Sequence, residues 1–229
     1  MTLALRSEKR RRLTLEEWSA LDEDTPGELV NGLLEEEEVT TYLHELLVAF
    51  LLATLHTQIW PRGGAVFGSE GKVRTGAAAG RKPDLSVYFP GAELPSRQAK
   101  IAKSPPSMLI EVVTNTSRDA RRDRVTKRGE YAAIGVPFYW LVDPEERVVE
   151  VLRLEGRAYV TIAVASSGVL QVPGCEGVTV SVDALWAGAD RLSDDPPSSR
   201  SRRKKVAPRA ASPVRAAPRR QPRSTVKSP

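Results

Sequence analysis

An α/β domain built on a mixed β-sheet flanked by helices is the fold class this sequence predicts, and three stretches predict it. Residues 108–113 form a nearly unbroken apolar run of the kind buried on both faces of a sheet. Residues 119–134 follow with helical periodicity, ended by Gly135 with Pro137 just beyond, and lead into a second apolar run at 138–142. A strand–helix–strand order with that crossover length favours parallel pairing of the two strands. Residues 148–154, 158–164 and 178–182 alternate apolar with polar instead, which marks antiparallel strands and makes the sheet mixed.

The elements before this core can be read in order. Thr14 and Glu17 have the spacing of a capping box, so a short helix is expected from about Leu15 to Trp18. Residues 28–34 read as two short strands turning at Asn31-Gly32, or as one strand bulged there. The glutamates at 35–38 suit a solvated turn or a first helical turn, leading into a helix over 39–58, whose apolar positions Leu43, Leu46, Leu47, Phe50, Leu51 and Leu55 define a wide buried face. Residues 66–68 and 71–74 suggest another strand or pair, 75–80 a flexible loop without phosphate-cradling spacing, and 81–89 a strand opened by Pro83. The proline-containing stretch 90–106 has no regular period and is expected to be a surface excursion. Gly156 supplies the turn of the first C-terminal hairpin.

Composition limits the alternatives. A chain of 229 residues that is 41% hydrophobic can bury one substantial core. A single cysteine, Cys175, excludes an intrachain disulfide framework and, with no signal-peptide pattern at the charged start, points to the cytoplasm. The longest apolar run, 46–55, is too short for a membrane span of roughly 20 residues. Residues 193–229 hold 11 Lys/Arg against 2 Asp/Glu, so within a net charge of +5 residues 1–192 are mildly acidic. That basic segment, poor in large apolar residues, is expected to be a disordered tail. It is either a solubilising extension or a weak nucleic-acid arm centred on Arg202, Arg203, Lys204 and Lys205, without aromatics for base stacking. Three regions result: a basic extension over 1–12, a folded domain over 13–192 and the tail over 193–229.

Charged residues sit where the core pattern calls for apolar ones. Glu111 interrupts the buried strand, and a buried carboxylate persists only beside a hydrogen-bonded partner or a cation. Asp84 stands at the start of a strand, and Lys127 shares the apolar stripe of its helix, one turn after Asp123 and one before Tyr131. Taken singly, Asp123–Lys127 could be a surface ion pair and Asp84 a strand-end polar residue. Taken together, Asp84, Glu111 and Lys127 suit a divalent cation with hard oxygen ligands beside an ammonium, the chemistry of phosphodiester hydrolysis. His44, on the long helix, reads as hydrogen-bonded structure, and His56 is too far along to share a metal with it.

At these residues the chain resembles the Uma2 family of the PD-(D/E)xK nuclease superfamily. The resemblance runs over about 15–186 and includes Glu28-Leu29-Val30-Asn31-Gly32, His44, Pro83-Asp84, Glu111-Val112-Val113, Asp123, Lys127, Tyr131 and the run from Gly135 to Pro144. It implies a restriction-endonuclease-like core and an Mg²⁺- or Mn²⁺-dependent DNA endonuclease. Asp84 and Glu111 would hold the metal, Glu28 would assist as an outer ligand or through water, and Lys127 would take the catalytic lysine role. The superfamily's usual lysine position, two residues after Glu111, is filled by Val113, so the lysine must come from the helix. A homodimer is implied as well. The alternative is a catalytically inactive nuclease-fold protein that binds nucleic acid or protein.

Overall fold

Capping, turn and stop signals place the elements of the computed structural model, which describes residues 12–22, 25, 27–35, 40–114 and 121–193. Helix α1 (Leu15–Ser19) carries the expected capping box: Glu17 N donates to Thr14 Oγ1 at 3.1 Å and Thr14 N donates to Glu17 Oε2 at 2.9 Å. Strands β1 (Glu28–Val30) and β2 (Leu33–Glu35) form a hairpin. Its two-residue turn puts Asn31 and Gly32 at φ 51° and 79°, the left-handed pair that matches the twist of the flanking strands. Helix α2 (Tyr42–Ile59) starts at Thr41, whose Oγ1 accepts from His44 N at 3.2 Å. With the turn after it, Tyr42–Arg62 is long and apolar enough by length and composition to cross a bilayer. Here Leu47, Leu51, Leu55 and Ile59 form a fully buried stripe in the domain core.

Two expectations need correction. Residues 75–80 are not a flexible loop, because β4 (Val73–Gly76) and β5 (Ala79–Arg81) make a tight hairpin within them. Gly80 is required there, since a Cβ would run into the indole of Trp18. The expected strand over 81–89 is broken: Arg81 ends β5, and β6 (Leu85–Tyr88) begins after Lys82-Pro83-Asp84. Proline has no N–H to give to a ladder, so the chain leaves one sheet and enters another at this point.

The main sheet has six strands in the order β10-β9-β8-β7-β6-β3, where β3 is Ala65–Phe67, β7 Met108–Val112, β8 Phe138–Asp143, β9 Val148–Glu155 and β10 Ala158–Ala165. Strands β7 and β8 pair in parallel, as their crossover predicts, and every other pair in this sheet is antiparallel. A four-stranded sheet, β2-β1-β5-β4, and the pair β11 (Val169–Gln171) and β12 (Thr179–Ser181) complete the strands. Met108, Ile110 and Val112 face the core formed with α2 and with helix α4 (Val182–Ala189). Leu109 and Val113 face the opposite core, with Tyr131 and Tyr139. By the two-residue alternation of a strand, Glu111 lies on this second face.

The helix covering that face differs in form from expectation. Residues 115–120 lie outside the described residues, Arg122–Lys127 is π-helical, and α3 (Arg128–Ala133) is α-helical. Wide π turns recur at functional sites. Gly135, at φ 80°, ends α3 as expected: its N–H donates to Ala132 O and that of Val136 to Tyr131 O, both at 3.1 Å.

Candidate active site

The strand interruption at Pro83 is what presents Asp84. Where β6 begins, Val112 N has the Asp84 carboxylate as its partner, donating to Oδ2 at 2.7 Å. The same oxygen lies 3.2 Å from His44 Nε2, and His44 Nδ1 is 3.4 Å from Glu45 Oε1. Burial alone would lower the His44 pKa, but the hydrogen bond and charge of Asp84, then those of Glu45, raise it. His44, read from sequence as structural, is therefore tied directly to a candidate ligand.

Glu111 is fixed on both sides. Tyr131 Oη donates to Oε1 at 2.7 Å, and Lys127 Nζ lies 3.0 Å from Oε2. The same Nζ is 3.0 Å from Asp123 Oδ1, an ion pair off the hydrogen-bond direction, and 4.0 Å from Glu28 Oε1. Asp123 and Lys127 are both buried, so the surface-pair reading is wrong for them. Burial pushes the Glu111 carboxyl up to about 8, with Lys127 opposing and Asp84, Asp123 and Glu28 adding to the rise. Burial raises Asp123 too, against Lys127. Lys127 is driven the other way: burial would neutralise it, but the surrounding carboxylates hold it charged, its pKa well above the usual lysine range.

Glu28 reaches the cluster from the four-stranded sheet. Burial works against its charge, but Lys127, Arg81 and the Lys82 N–H at 3.0 Å hold it below the ordinary carboxylate range. Arg81, only 1% exposed, donates to Glu28 Oε2 at 2.8 Å and, through Nε and Nη2, to both Glu130 oxygens at 2.7 Å. Sequence reasoning missed Arg81 as a site residue. The available signal was a charged residue directly before Lys-Pro-Asp, too polar for an ordinary strand end.

Asp84, Glu111, Lys127, Glu28, Asp123 and His44 all line one cleft of about 280 Å³. The three predicted catalytic residues are thus brought together, with Glu28 beside them. Arg202, Arg203, Lys204 and Lys205 lie outside the described residues.

A family profile described as "Putative restriction endonuclease", Uma2, matches residues 14–183. The chain belongs to the Uma2 family. The match spans every element that builds the cleft, from the capping box of α1 to the start of α4. A solved structure from Anabaena variabilis, described as a putative nuclease belonging to DUF820, has a TM-score of 0.63 to this Uma2 protein at 22% identity. The similarity covers 77% of this chain and 99% of that one, and it shows the fold. No curated relative matches.

Proposed function

We propose that this Uma2 domain is a divalent-metal-dependent endonuclease that hydrolyses DNA phosphodiester bonds, with Mg²⁺ or Mn²⁺ held by Asp84 and Glu111. The observation that carries this reading is an excess of acid around the cleft, where Glu28, Glu45, Glu70, Asp84, Glu111 and Asp123 stand against Lys82, Arg122 and Lys127. Glu28, Asp84, Glu111 and Asp123 surround the ammonium of Lys127, while Arg81 is shared between Glu28 and Glu130, Lys82 is paired with Glu70 and Arg122 acts on Asp123. Carboxylates crowded in this way repel one another until a cation offsets them.

The residues fit a hard divalent ion. Among the described residues no three His, Cys, Asp or Glu side chains are grouped to hold a metal by themselves. Mg²⁺ needs no such cage, since it uses one or two protein carboxylates and fills its shell with water and substrate phosphate. When bound, the cation supplies a Lewis acid and acidifies the attacking water. The chain's own residues do the rest. Val112 N–H and His44 aim Asp84, Tyr131 holds the Glu111 rotamer, and Lys127 presents a fixed positive charge to the phosphoryl oxygens as charge develops on them. Glu28 supports Lys127 from the outer side.

One observation favours a second reading. Glu111 already has Tyr131 and Lys127 as partners, so a self-neutralised cluster in a non-cleaving, binding protein would also account for its burial. Thermal denaturation with added Mg²⁺ separates the two. At a metal concentration about 100 times Kd the metalloenzyme gains about 2.7 kcal/mol, a Tm rise of roughly 5–10 °C for a domain of this size, and Asp84→Asn and Glu111→Gln remove the rise. An unchanged wild-type Tm supports the inert cluster.

A further inference from the structure

A second cavity of about 250 Å³ adjoins the first, and Glu70, ion-paired with Lys82 at 3.1 Å, lines both. Strand β6 leads from one to the other. Asp84 precedes its first residue, and Ser86 and Tyr88 alternate with Leu85 and Val87, which face the core under α2. Ser86 pairs with Leu109 across the ladder, on the face that carries Glu111. Strand rise puts Ser86 about 7 Å from Asp84.

The lining suits a planar, partly polar ligand. Phe67 is 41% exposed, one of few large rings left open to solvent among the described residues, and Tyr88 meets it edge-on with centroids 5.7 Å apart. Ile101 and Pro95 close the wall, and the Ser86 hydroxyl is buried there with no protein partner. Arg97 and Lys100, both exposed, add positive charge at the rim. Its volume lies just below the roughly 300–1,000 Å³ of drug-sized ligand sites, so it admits one ring system and little more. An aromatic floor beside basic side chains is the arrangement that stacks an unpaired base while holding its backbone.

We propose that this cavity is a base-binding subsite that takes an unpaired nucleobase adjoining the phosphate held at Asp84 and Glu111. The substrate is then single-stranded or locally unpaired DNA, because a base in a stacked duplex cannot enter a side pocket. The inference rests on the nuclease reading above, and its test must not depend on cleavage.

The test is fluorescence anisotropy of the full-length protein with a short single-stranded DNA and with the same strand made abasic at one position. Wild type is expected to bind the base-bearing strand about tenfold more tightly. Phe67→Ala abolishes that preference and leaves abasic binding unchanged, while Phe67→Tyr retains it. Because Phe67 is substantially exposed, neither change should unfold the chain, and circular dichroism checks this. Arg97→Ala with Lys100→Ala weakens both strands alike and flattens the salt dependence. Equal wild-type affinity for the two strands, no binding of either, or a preference that survives Phe67→Ala overturns the subsite. Metal-dependent cutting without base preference defeats the subsite alone. Base preference without any cutting defeats the nuclease reading alone.

Discussion

Lys127 governs the stability of the acidic cluster. Its replacement by Met leaves Glu111 and Asp123 buried without their cation, and breaking a buried pair in this way costs about 3–5 kcal/mol. Urea denaturation of the metal-free protein measures that loss. Glu111 predicts a pH dependence as well. Its folded pKa, raised by burial to about 8, exceeds the ordinary 4.5, so its contribution to stability is complete below about 4.5 and is lost as pH rises through about 8. Metal-free Tm should therefore fall over that window, and Glu111→Gln should flatten the fall. Glu28, held low, has the opposite sign and weakens the fold only as pH drops below the carboxylate range. Glu111 and Lys127 were legible in the sequence because each breaks an apolar pattern, and Asp84 because it opens a strand directly after Pro83. The role of Tyr131 was not, because a tyrosine on an apolar stripe looks like core until the Glu111 oxygen is seen 2.7 Å from its hydroxyl.

Among the elements, the hairpin β4–β5 carries the sharpest steric constraint. Gly80→Ala drives a methyl into Trp18, whose Nε1 donates to Gly27 O at 3.0 Å, and so disturbs α1 and β1 together. A loss of about 1–3 kcal/mol is expected, typical of overpacking, with the Mg²⁺-induced rise in Tm preserved. Differential scanning fluorimetry with and without metal reads both. The capping box, the Asn31-Gly32 turn and the Gly135 stop were readable because each depends on residues close in sequence, and the parallel β7–β8 pair because its helical crossover restricts the pairing. The β4–β5 hairpin was not, because its Gly- and Ala-rich stretch lacks alternation and its ordering comes from Trp18, more than sixty residues earlier. The π turn at Arg122–Lys127 was also hidden, since its residues still satisfy ordinary helical spacing.

Across the whole domain, Arg81 is the tie that joins the four-stranded sheet to the cleft. It binds Glu28 of β1 and Glu130 of α3, contacts 53 and 49 residues away that no local pattern could reveal. Arg81→Met should cost about 3–5 kcal/mol and loosen Glu28 beside Lys127, seen as a lower urea midpoint. A chain ending at Leu192 should keep the Tm of the full chain and bind DNA with a shallower salt dependence, because residues 193–229 carry an excess of basic charge. The measurement that tests the central claim most directly is nicking of supercoiled DNA with Mg²⁺ or Mn²⁺ by wild type, Glu111→Gln and Lys127→Met. Wild type should cut only with metal, and each substitution should lower the rate at least about a hundredfold. A folded wild type that cuts nothing, or substituted proteins that cut as fast as wild type, would contradict an active site at Asp84, Glu111 and Lys127.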